Sequence, residues 1–334
     1  MHMADALISP AVGGAFWMVS GGLIAHAARK VKQSSREDIV PMMGIMGAFV
    51  FAAQMINFAI PGTGSSGHLG GGLMLTMLLG PHAAFLVMAS VLATQALFFA
   101  DGGLLALGCN IFNLGFLPAY VAYPLFRRWL EGSRAGLFMV LAATAGLLAG
   151  ALMVVAQTLL SGITELPAGT FTLIILPIHV AIGIVEGLAT VAVVSLVRKA
   201  RPGAVPQAGE LTTPRPAMVG LVLAAVTLGV FVSWFASGHP DGLEWSIAKT
   251  AGTEEIVGAD SEVHTRLARL QEKTSLLPDY GFAGDEPTEE EVTAAWPAID
   301  PGTSISGLLG GFITLAFIFI SGWALKKTGA PREA

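Results

Sequence analysis

The first two residues of the chain, Met1 and His2, carry groups that can bind a metal ion. A free terminal amine, the deprotonated amide nitrogen of His2 and the His2 imidazole can close adjacent chelate rings on one ion, and these three nitrogens lie naturally in a plane. Square-planar nitrogen sites suit Cu(II) and Ni(II). We expect the initiator Met to persist, because a bulky His at position 2 blocks its removal. A disordered chain start, or a remnant of cloning, is the alternative interpretation.

A second candidate ligand, His68, lies in the Gly- and Ser-rich segment 61–72, PGTGSSGHLGGG. Flexible backbone of this kind is tolerated at membrane depth where protein or a cavity satisfies its polar groups. His68 could supply the fourth in-plane nitrogen; the alternative is an ordinary loop histidine. Because such a site uses neutral imidazoles and a deprotonated amide, binding releases protons and the affinity should fall at low pH.

Four polar residues within apolar segments could support or gate such a site. Glu186 and His179 are seven residues apart on one expected helix, which is two turns, so they share a face. They could form a gating or relay element, or a polar tie between helices. Gln54 and Asn57 are expected a turn apart near the outer end of the second segment, where they could orient ligands through hydrogen bonds.

The composition is that of a polytopic membrane protein. Of 334 residues, 54% are apolar and only 12% are charged, and the mean hydropathy is +0.69. These values exclude a disordered chain, a nucleic-acid-binding protein and an ordinary cytosolic enzyme. The single cysteine, Cys109, cannot form a disulfide within the chain. We therefore expect an all-α protein whose surroundings are a lipid bilayer.

Nine apolar segments approach the roughly 20 residues needed to cross a bilayer, although the third is short. They cover residues 10–28, 39–60, 69–80, 83–100, 102–126, 135–160, 171–197, 216–236 and 305–325. With nine crossings, fourteen of the eighteen Lys and Arg residues fall on one side, which the positive-inside rule assigns to the cytoplasm. We expect the amino terminus outside and the carboxyl terminus inside a plasma (inner) membrane.

The chain divides into two modules. The first module, residues 1–200, holds seven expected spans, and a Pro-, Gly- and charge-rich linker, 201–215, follows it. The second module, residues 216–334, holds two spans around an outer loop, 237–303. That loop carries fourteen of the twenty-three acidic residues and four bases, so we expect it to be solvated and only partly folded.

Motifs for several kinds of catalysis are missing from the sequence. It contains no Gly-Lys dipeptide, and therefore no Walker-type phosphate-binding loop, no His-Glu-x-x-His motif and no Gly-x-Ser-x-Gly elbow. Any ATP-driven work must therefore come from another subunit.

Several runs of sequence resemble a known transporter family. In the first module they are the opening Met-His, GAFVFAAQMINFAIPGTGSSGHLGGG (47–72), QALFFADGGLLALGCNIFNLGF (95–116) and PIHVAIGIVEG (177–187). These runs resemble the NikM and CbiM proteins, the substrate-binding membrane components of energy-coupling-factor (ECF) transporters for nickel or cobalt. The run GHPDGLEWSIAKTAGTEE (238–255) resembles the NikN-type partner, which contains a PDGLE signature. The whole chain therefore resembles a fused NikMN arrangement.

This resemblance implies a site, a cargo and partners. The metal ligands would be the Met1 amine, the amide and imidazole nitrogens of His2, and the His68 imidazole. The cargo would be Ni²⁺ or Co²⁺, with no resident cofactor. The protein would not be an enzyme, since a membrane coupling (T) protein and two cytoplasmic ATPase subunits would drive uptake. The PDGLE module and the planar site favour nickel, although residues 3–5, Met-Ala-Asp, differ from those of many relatives and leave the preference open.

Three alternatives to nickel capture remain. One is CbiM-type cobalt uptake for cobalamin biosynthesis. Another is a membrane enzyme that uses the metal for hydrolysis, which predicts an open coordination position and a nearby carboxylate, and the four-nitrogen ligand set includes neither. The last is a structural or assembly subunit without a metal site, for which replacing His2 would leave metal binding unchanged.

Overall fold

The computed structural model describes residues 2–34, 39–199, 215–252, 261–282 and 296–327. Within these ranges the regular structure is almost entirely helical, with one short pair of strands. Five of the described helices are long and apolar enough to cross a bilayer, and two shorter apolar helices accompany them, Ile39–Gln54 and Pro216–Val230. The prediction of an all-α, multi-pass membrane protein is confirmed at this level. Met1 and the expected linker up to residue 214 lie outside the described residues.

The first module contains eight described α-helices. They are α1 (Pro10–Gln33), α2 (Ile39–Gln54), α3 (Gly72–Leu79), α4 (Pro81–Phe98), α5 (Leu107–Ile111), α6 (Tyr123–Phe126), α7 (Ala135–Ser161) and α8 (Ala168–Lys199). A π-helix, Phe112–Ala122, joins α5 to α6, so that the three form one continuous helical segment. Pro118 lies inside this π-helix, and its missing N–H disrupts the α-helical hydrogen-bond ladder there.

The second module contains four described α-helices. They are α9 (Arg215–Val230), α10 (Gly242–Ala251), α11 (Glu262–Thr274) and α12 (Pro301–Lys327). Helices α10 and α11 lie in the outer loop, whose described part is therefore more helical than its charge predicted. The Asp241 side chain accepts hydrogen bonds from the backbone N–H groups of Leu243 and Glu244, and the Glu244 side chain accepts one from the Asp241 N–H. This capping box fixes where α10 begins.

Several predicted spans are shorter in the structure, among them 216–236, because α9 ends at Val230. Helix α2 ends at Gln54, and the chain then forms an antiparallel pair, β1 (Phe58–Ile60) and β2 (Ser65–Gly67), connected through Gly62 and Gly64 at φ of 77° and 75°. Helix α3 has eight residues, about 12 Å of rise, against a hydrocarbon thickness of about 30 Å. The expectation that Asn57 lies on the same helix as Gln54 is wrong, because Asn57 follows the end of α2.

Small residues let neighbouring helices approach closely. A Cβ atom at Gly183 of α8 would lie 2.6 Å from the Cα of Thr144 on α7, and one at Gly187 would lie 2.4 Å from the Cα of Val140. These glycines are four residues apart and form a small-xxx-small contact of the kind found in membrane helices. In the second module, α12 packs along α2 and against α9.

The outer faces of the long helices are apolar. Leu160 on α7, Leu173 on α8 and Phe312 on α12 are 72%, 76% and 67% exposed. A surface of this kind is unfavourable in water and suits contact with lipid tails.

Candidate metal centre

The loop that carries His68 is tied to the helix bundle from two sides. The Gln54 side-chain NH₂ group donates to the Gly70 carbonyl at 2.9 Å, and the Gly70 N–H donates to the Glu186 carboxylate at 2.8 Å. Gln95 in turn donates to the Gln54 side-chain oxygen at 2.9 Å. Because Gln54 and Glu186 are both buried, these bonds are shielded from water and fix the Gly-rich backbone in place.

The start of the chain is inserted into the same end of the bundle. Met3 is fully buried, and its N–H donates to the Asn110 side-chain oxygen at 2.8 Å. The Met3 carbonyl accepts from the Asn110 side chain at 3.2 Å and from the Gly103 N–H at 2.9 Å. These bonds hold His2 at a defined position beside the segment that follows α4.

The two histidines predicted as ligands lie next to each other. The imidazole rings of His2 and His68 stack with their centroids 5.0 Å apart and their planes inclined by 27°. Burial lowers the pKa of the His68 imidazole to about 3, so this ring is neutral at physiological pH, as a metal ligand must be. A Cβ atom on the preceding residue, Gly67, would lie 2.5 Å from the Ile182 side chain. Glycine at this position therefore allows the loop to pack closely against α8.

A carboxylate, Asp101, orients the His2 ring. The His2 Nδ1 lies 2.7 Å from one Asp101 oxygen, and the Tyr280 hydroxyl donates to the other. Burial alone would raise the pKa of Asp101, but the electrostatic interaction with His2 and the hydrogen bonds from His2 and Tyr280 lower it below the ordinary value. Asp101 is therefore ionised and accepts both bonds. Tyr280 belongs to the second module, so the outer loop contributes directly to the arrangement around His2.

The PDGLE signature of the second module packs against the His68 loop. The Ser66 N–H donates to the Pro240 carbonyl at 2.8 Å, and its hydroxyl donates to the His239 carbonyl at 2.7 Å. These bonds bring an Asp241 oxygen to 3.9 Å from the His68 Nε2. The second module thus covers the loop that carries one of the predicted ligands.

The remaining predicted residues occupy different positions around this loop. His179 is buried; its Nδ1–H donates to the Ile175 carbonyl at 2.8 Å, and it lines a void of about 10 Å³ together with His68 and Asp241. The Asn57 carbonyl accepts from the Ser237 N–H at 2.7 Å, and its side-chain oxygen has no hydrogen-bond partner among the described residues.

Side chains alone do not complete a metal site in the described part of the chain, where no group of three or more His, Cys, Asp or Glu residues is placed to hold an ion. The predicted amine ligand belongs to Met1, which lies outside the described residues.

Sequence reasoning missed three residues of this centre. Asp101 lies in the quoted run 95–116, where it is a lone carboxylate among apolar residues, and Asp241 lies in the PDGLE signature. Tyr280 had no sequence pattern that marked it. Each contact joins segments far apart in the chain, so spacing did not predict it.

Comparison with known proteins decides the family. Residues 2–204 match the CbiM family model, described as the cobalt uptake substrate-specific transmembrane region. The chain belongs to the CbiM family. Behind this CbiM domain, residues 215–327 match the PDGLE domain. The resemblance to a fused NikMN arrangement, predicted from the sequence runs, is confirmed by this pair of domains and by the relatives.

Relatives that match the CbiM domain and relatives that match nearly the whole chain are both described as metal transport proteins. A putative metal transport protein of Haloquadratum walsbyi is 36% identical over 202 residues, which cover 60% of this chain and 92% of that protein. A putative fused nickel transport protein NikMN of Archaeoglobus fulgidus is 30% identical over 328 residues, which cover 96% of this chain and 97% of that protein. The crystal structure of a transition metal transporter is 31% identical in sequence, with a TM-score of 0.54. The match covers 60% of this chain and 93% of the transporter chain.

Proposed function

We propose that this protein captures Ni²⁺ at the outer face of the membrane for import, as the substrate-specific component of an ATP-driven ECF transporter. The observation that carries the proposal is the stacking of the His2 and His68 imidazoles 5.0 Å apart, beside the start of the chain. The relatives named as metal and nickel transport proteins support it.

The proposed ligands are the Met1 amine, the amide and imidazole nitrogens of His2, and the His68 imidazole. An ion bound to the His2 amide closes a smaller chelate ring through Nδ1 than through Nε2. Because Nδ1 donates to Asp101 in the structure, we expect the His2 ring to turn about its Cβ–Cγ bond when metal binds. The turn frees Nδ1 for the metal and lets the Nε2–H donate to the carboxylate, a pairing that commonly orients histidine ligands.

The proposed topology is seven spans in the first module and two in the second, with the amino terminus outside and the carboxyl terminus in the cytoplasm. In this topology His2, His68 and Asp241 all lie on the outer side, which agrees with their contacts. His179 and Glu186, on the helix behind the His68 loop, are proposed to gate the site, and Gln54 and Asn57 to support it.

The proposed partners are a membrane coupling (T) protein and two cytoplasmic ATPases, since the sequence contains no Walker-type loop. Helix α1 offers a contact surface for the coupling protein. Gly21 and Ala25, one turn apart, are exposed, and no atom of the described chain lies within 4 Å of a Cβ placed at Gly21. Small residues of this kind allow close helix packing in membranes.

Cobalt capture is the second candidate, because the matched family model is described as a cobalt uptake region. A planar set of four nitrogens favours Ni²⁺, which readily adopts square-planar coordination. A hydrolytic enzyme is disfavoured although carboxylates lie nearby, because Asp101 is already engaged by His2 and Tyr280.

The proposal is tested by Ni²⁺ binding to the purified protein. The variant His68→Ala removes one in-plane nitrogen, and we expect its affinity to fall by at least a hundredfold and the absorption of square-planar Ni²⁺ to disappear. His239→Ala is the matched control, since His239 is an exposed histidine of the outer loop whose carbonyl contact with Ser66 survives the change. Equal affinity in the wild type and His68→Ala would refute the proposed site.

A further inference from the structure

A second cavity, larger than the void beside His179, is lined by residues of both modules, including His2 of the candidate metal centre. Its volume is about 520 Å³. His2 and Asp101 line it from the first module, while Asp241, Glu244 and Asp279 line it from the second. The lining contains no Lys or Arg within the described part of the chain. The second module therefore forms one wall of a space that reaches His2.

The cavity wall is strongly acidic. Five of its lining residues are carboxylates, which are Asp5, Asp101, Asp241, Glu244 and Asp279. Asp5 accepts a hydrogen bond from the Ala106 N–H, and Asp101 and Asp241 are held by the bonds described above. The negative charges therefore project from fixed backbone positions on both modules. Charges of one sign in a low-dielectric cleft concentrate counter-ions and raise their association rates by about 10- to 1000-fold.

An independent observation points to a cation as the occupant. The His2 side chain, which lines this cavity, is only 7% exposed, and its Nε2 has no hydrogen-bond partner among the described residues. A buried polar nitrogen without a partner is unfavourable unless a ligand or water satisfies it. A positively charged ligand suits both this nitrogen and the surrounding carboxylates.

The size of the cavity suits a hydrated ion. At about 30 Å³ per water, six waters take about 180 Å³, so a hexahydrated divalent cation fits within 520 Å³ with its shell intact. An ion can then lose its waters in steps as it moves from the carboxylates to the imidazoles.

We propose that this cavity is the entrance for the metal, where the carboxylates of both modules attract a hydrated divalent transition-metal ion through its water shell, without ligating it directly, before it reaches His2. This inference rests on the proposed function and adds a role for the second module, which builds half of the entrance. Glu244 and Asp279 are the least buried of its five carboxylates, so we take them as its outer ones.

The test removes two of these charges without disturbing the fold. In Glu244→Gln/Asp279→Asn, Gln preserves the capping box that Glu244 forms, and Asn tolerates the positive φ of 50° at Asp279. The matched control, Glu262→Gln/Glu272→Gln, removes two exposed charges of α11 that do not line the cavity. Stopped-flow mixing of the full-length protein with NiCl₂ at low and high salt measures the association and dissociation rates.

We expect the cavity variant to bind Ni²⁺ about 3- to 10-fold more slowly at low salt, with an unchanged dissociation rate, and the difference to shrink at high salt as screening increases. The control should keep the wild-type association rate. Equal rates in the cavity variant and the wild type, or equal slowing in the control, would overturn the entrance while leaving the proposed Ni²⁺ site intact. If the wild type itself binds no Ni²⁺, the proposed function and the entrance fail together.

Discussion

At the level of single residues, the position of His2 is set by a chain of hydrogen bonds that begins in the second module. The Tyr280 hydroxyl donates to Asp101, which accepts from His2, and the Tyr280 ring stacks on Phe99 at 5.2 Å. A carboxylate that is held in this way fixes the direction in which the imidazole can point. Partners of metal-binding histidines commonly change affinity 10- to 100-fold when they are removed.

The variant Tyr280→Phe tests this chain of bonds. It removes the hydroxyl but retains the stacked ring, so we expect Ni²⁺ affinity to fall by about tenfold in calorimetric titrations while the protein remains folded. Tyr120→Phe serves as the control, because Tyr120 loses only its bond to His82, outside the metal centre. An affinity for Tyr280→Phe that matches that of Tyr120→Phe would show that Asp101 orients His2 without help from Tyr280.

The pH dependence of Ni²⁺ affinity follows from the protons that the ligands must lose. Because burial lowers the pKa of His68 to about 3, this ring is neutral throughout the range from about pH 6 to about pH 8 and contributes no proton there. The Met1 ammonium and the His2 amide must each release one, so we expect affinity to rise by tenfold to a hundredfold per pH unit. Titrations at several pH values measure this slope, and a flat profile would contradict amide and amine coordination.

At the level of helices and strands, the hairpin and the short helix α3 create room for His68. The hydropathy pattern predicted continuous spans at 39–60 and 69–80, because it reports which residues avoid water and not whether their backbone is helical. The turn glycines Gly62 and Gly64, and the buried hydrogen bonds of Gly70, decide the backbone path instead. Irregular backbone of this kind is stable among apolar helices because side chains of those helices form hydrogen bonds with its N–H and C=O groups.

We predict that close packing against α7 stabilises α8, the helix that carries His179 and Glu186. In Gly183→Ala the new Cβ would approach the Thr144 backbone to 2.6 Å, so the helices must separate and we expect a lower thermal unfolding midpoint in detergent. Gly169→Ala is the control on the same helix, because no atom lies within 4 Å of its Cβ position. Equal thermal unfolding midpoints for Gly183→Ala and Gly169→Ala would contradict this account of the helix contact.

At the level of the whole molecule, the sequence predicted the membrane class, the two-module order and the pair His2 and His68. These followed from local composition, from residue chemistry and from motifs that resemble a family. Asp101, Asp241 and Tyr280 could not be predicted in the same way, because their roles depend on contacts between segments about 100 to 180 residues apart. The outer loop looked solvated by its charge, yet three of its described acids, Asp241, Glu244 and Asp279, line a shared cavity.

The central claim, that the free start of the chain binds the metal together with His68, is tested most directly by adding Gly-Pro before Met1. The addition moves the terminal amine away from the His2 amide and imidazole, and the proline nitrogen, which has no amide proton to lose, prevents the new chain start from forming a chelate of its own. We predict that high-affinity Ni²⁺ binding and the absorption of square-planar Ni²⁺ are lost, whereas Gly-Pro added after Ala334 changes neither. Wild-type Ni²⁺ affinity in the amino-terminally extended protein would contradict the account.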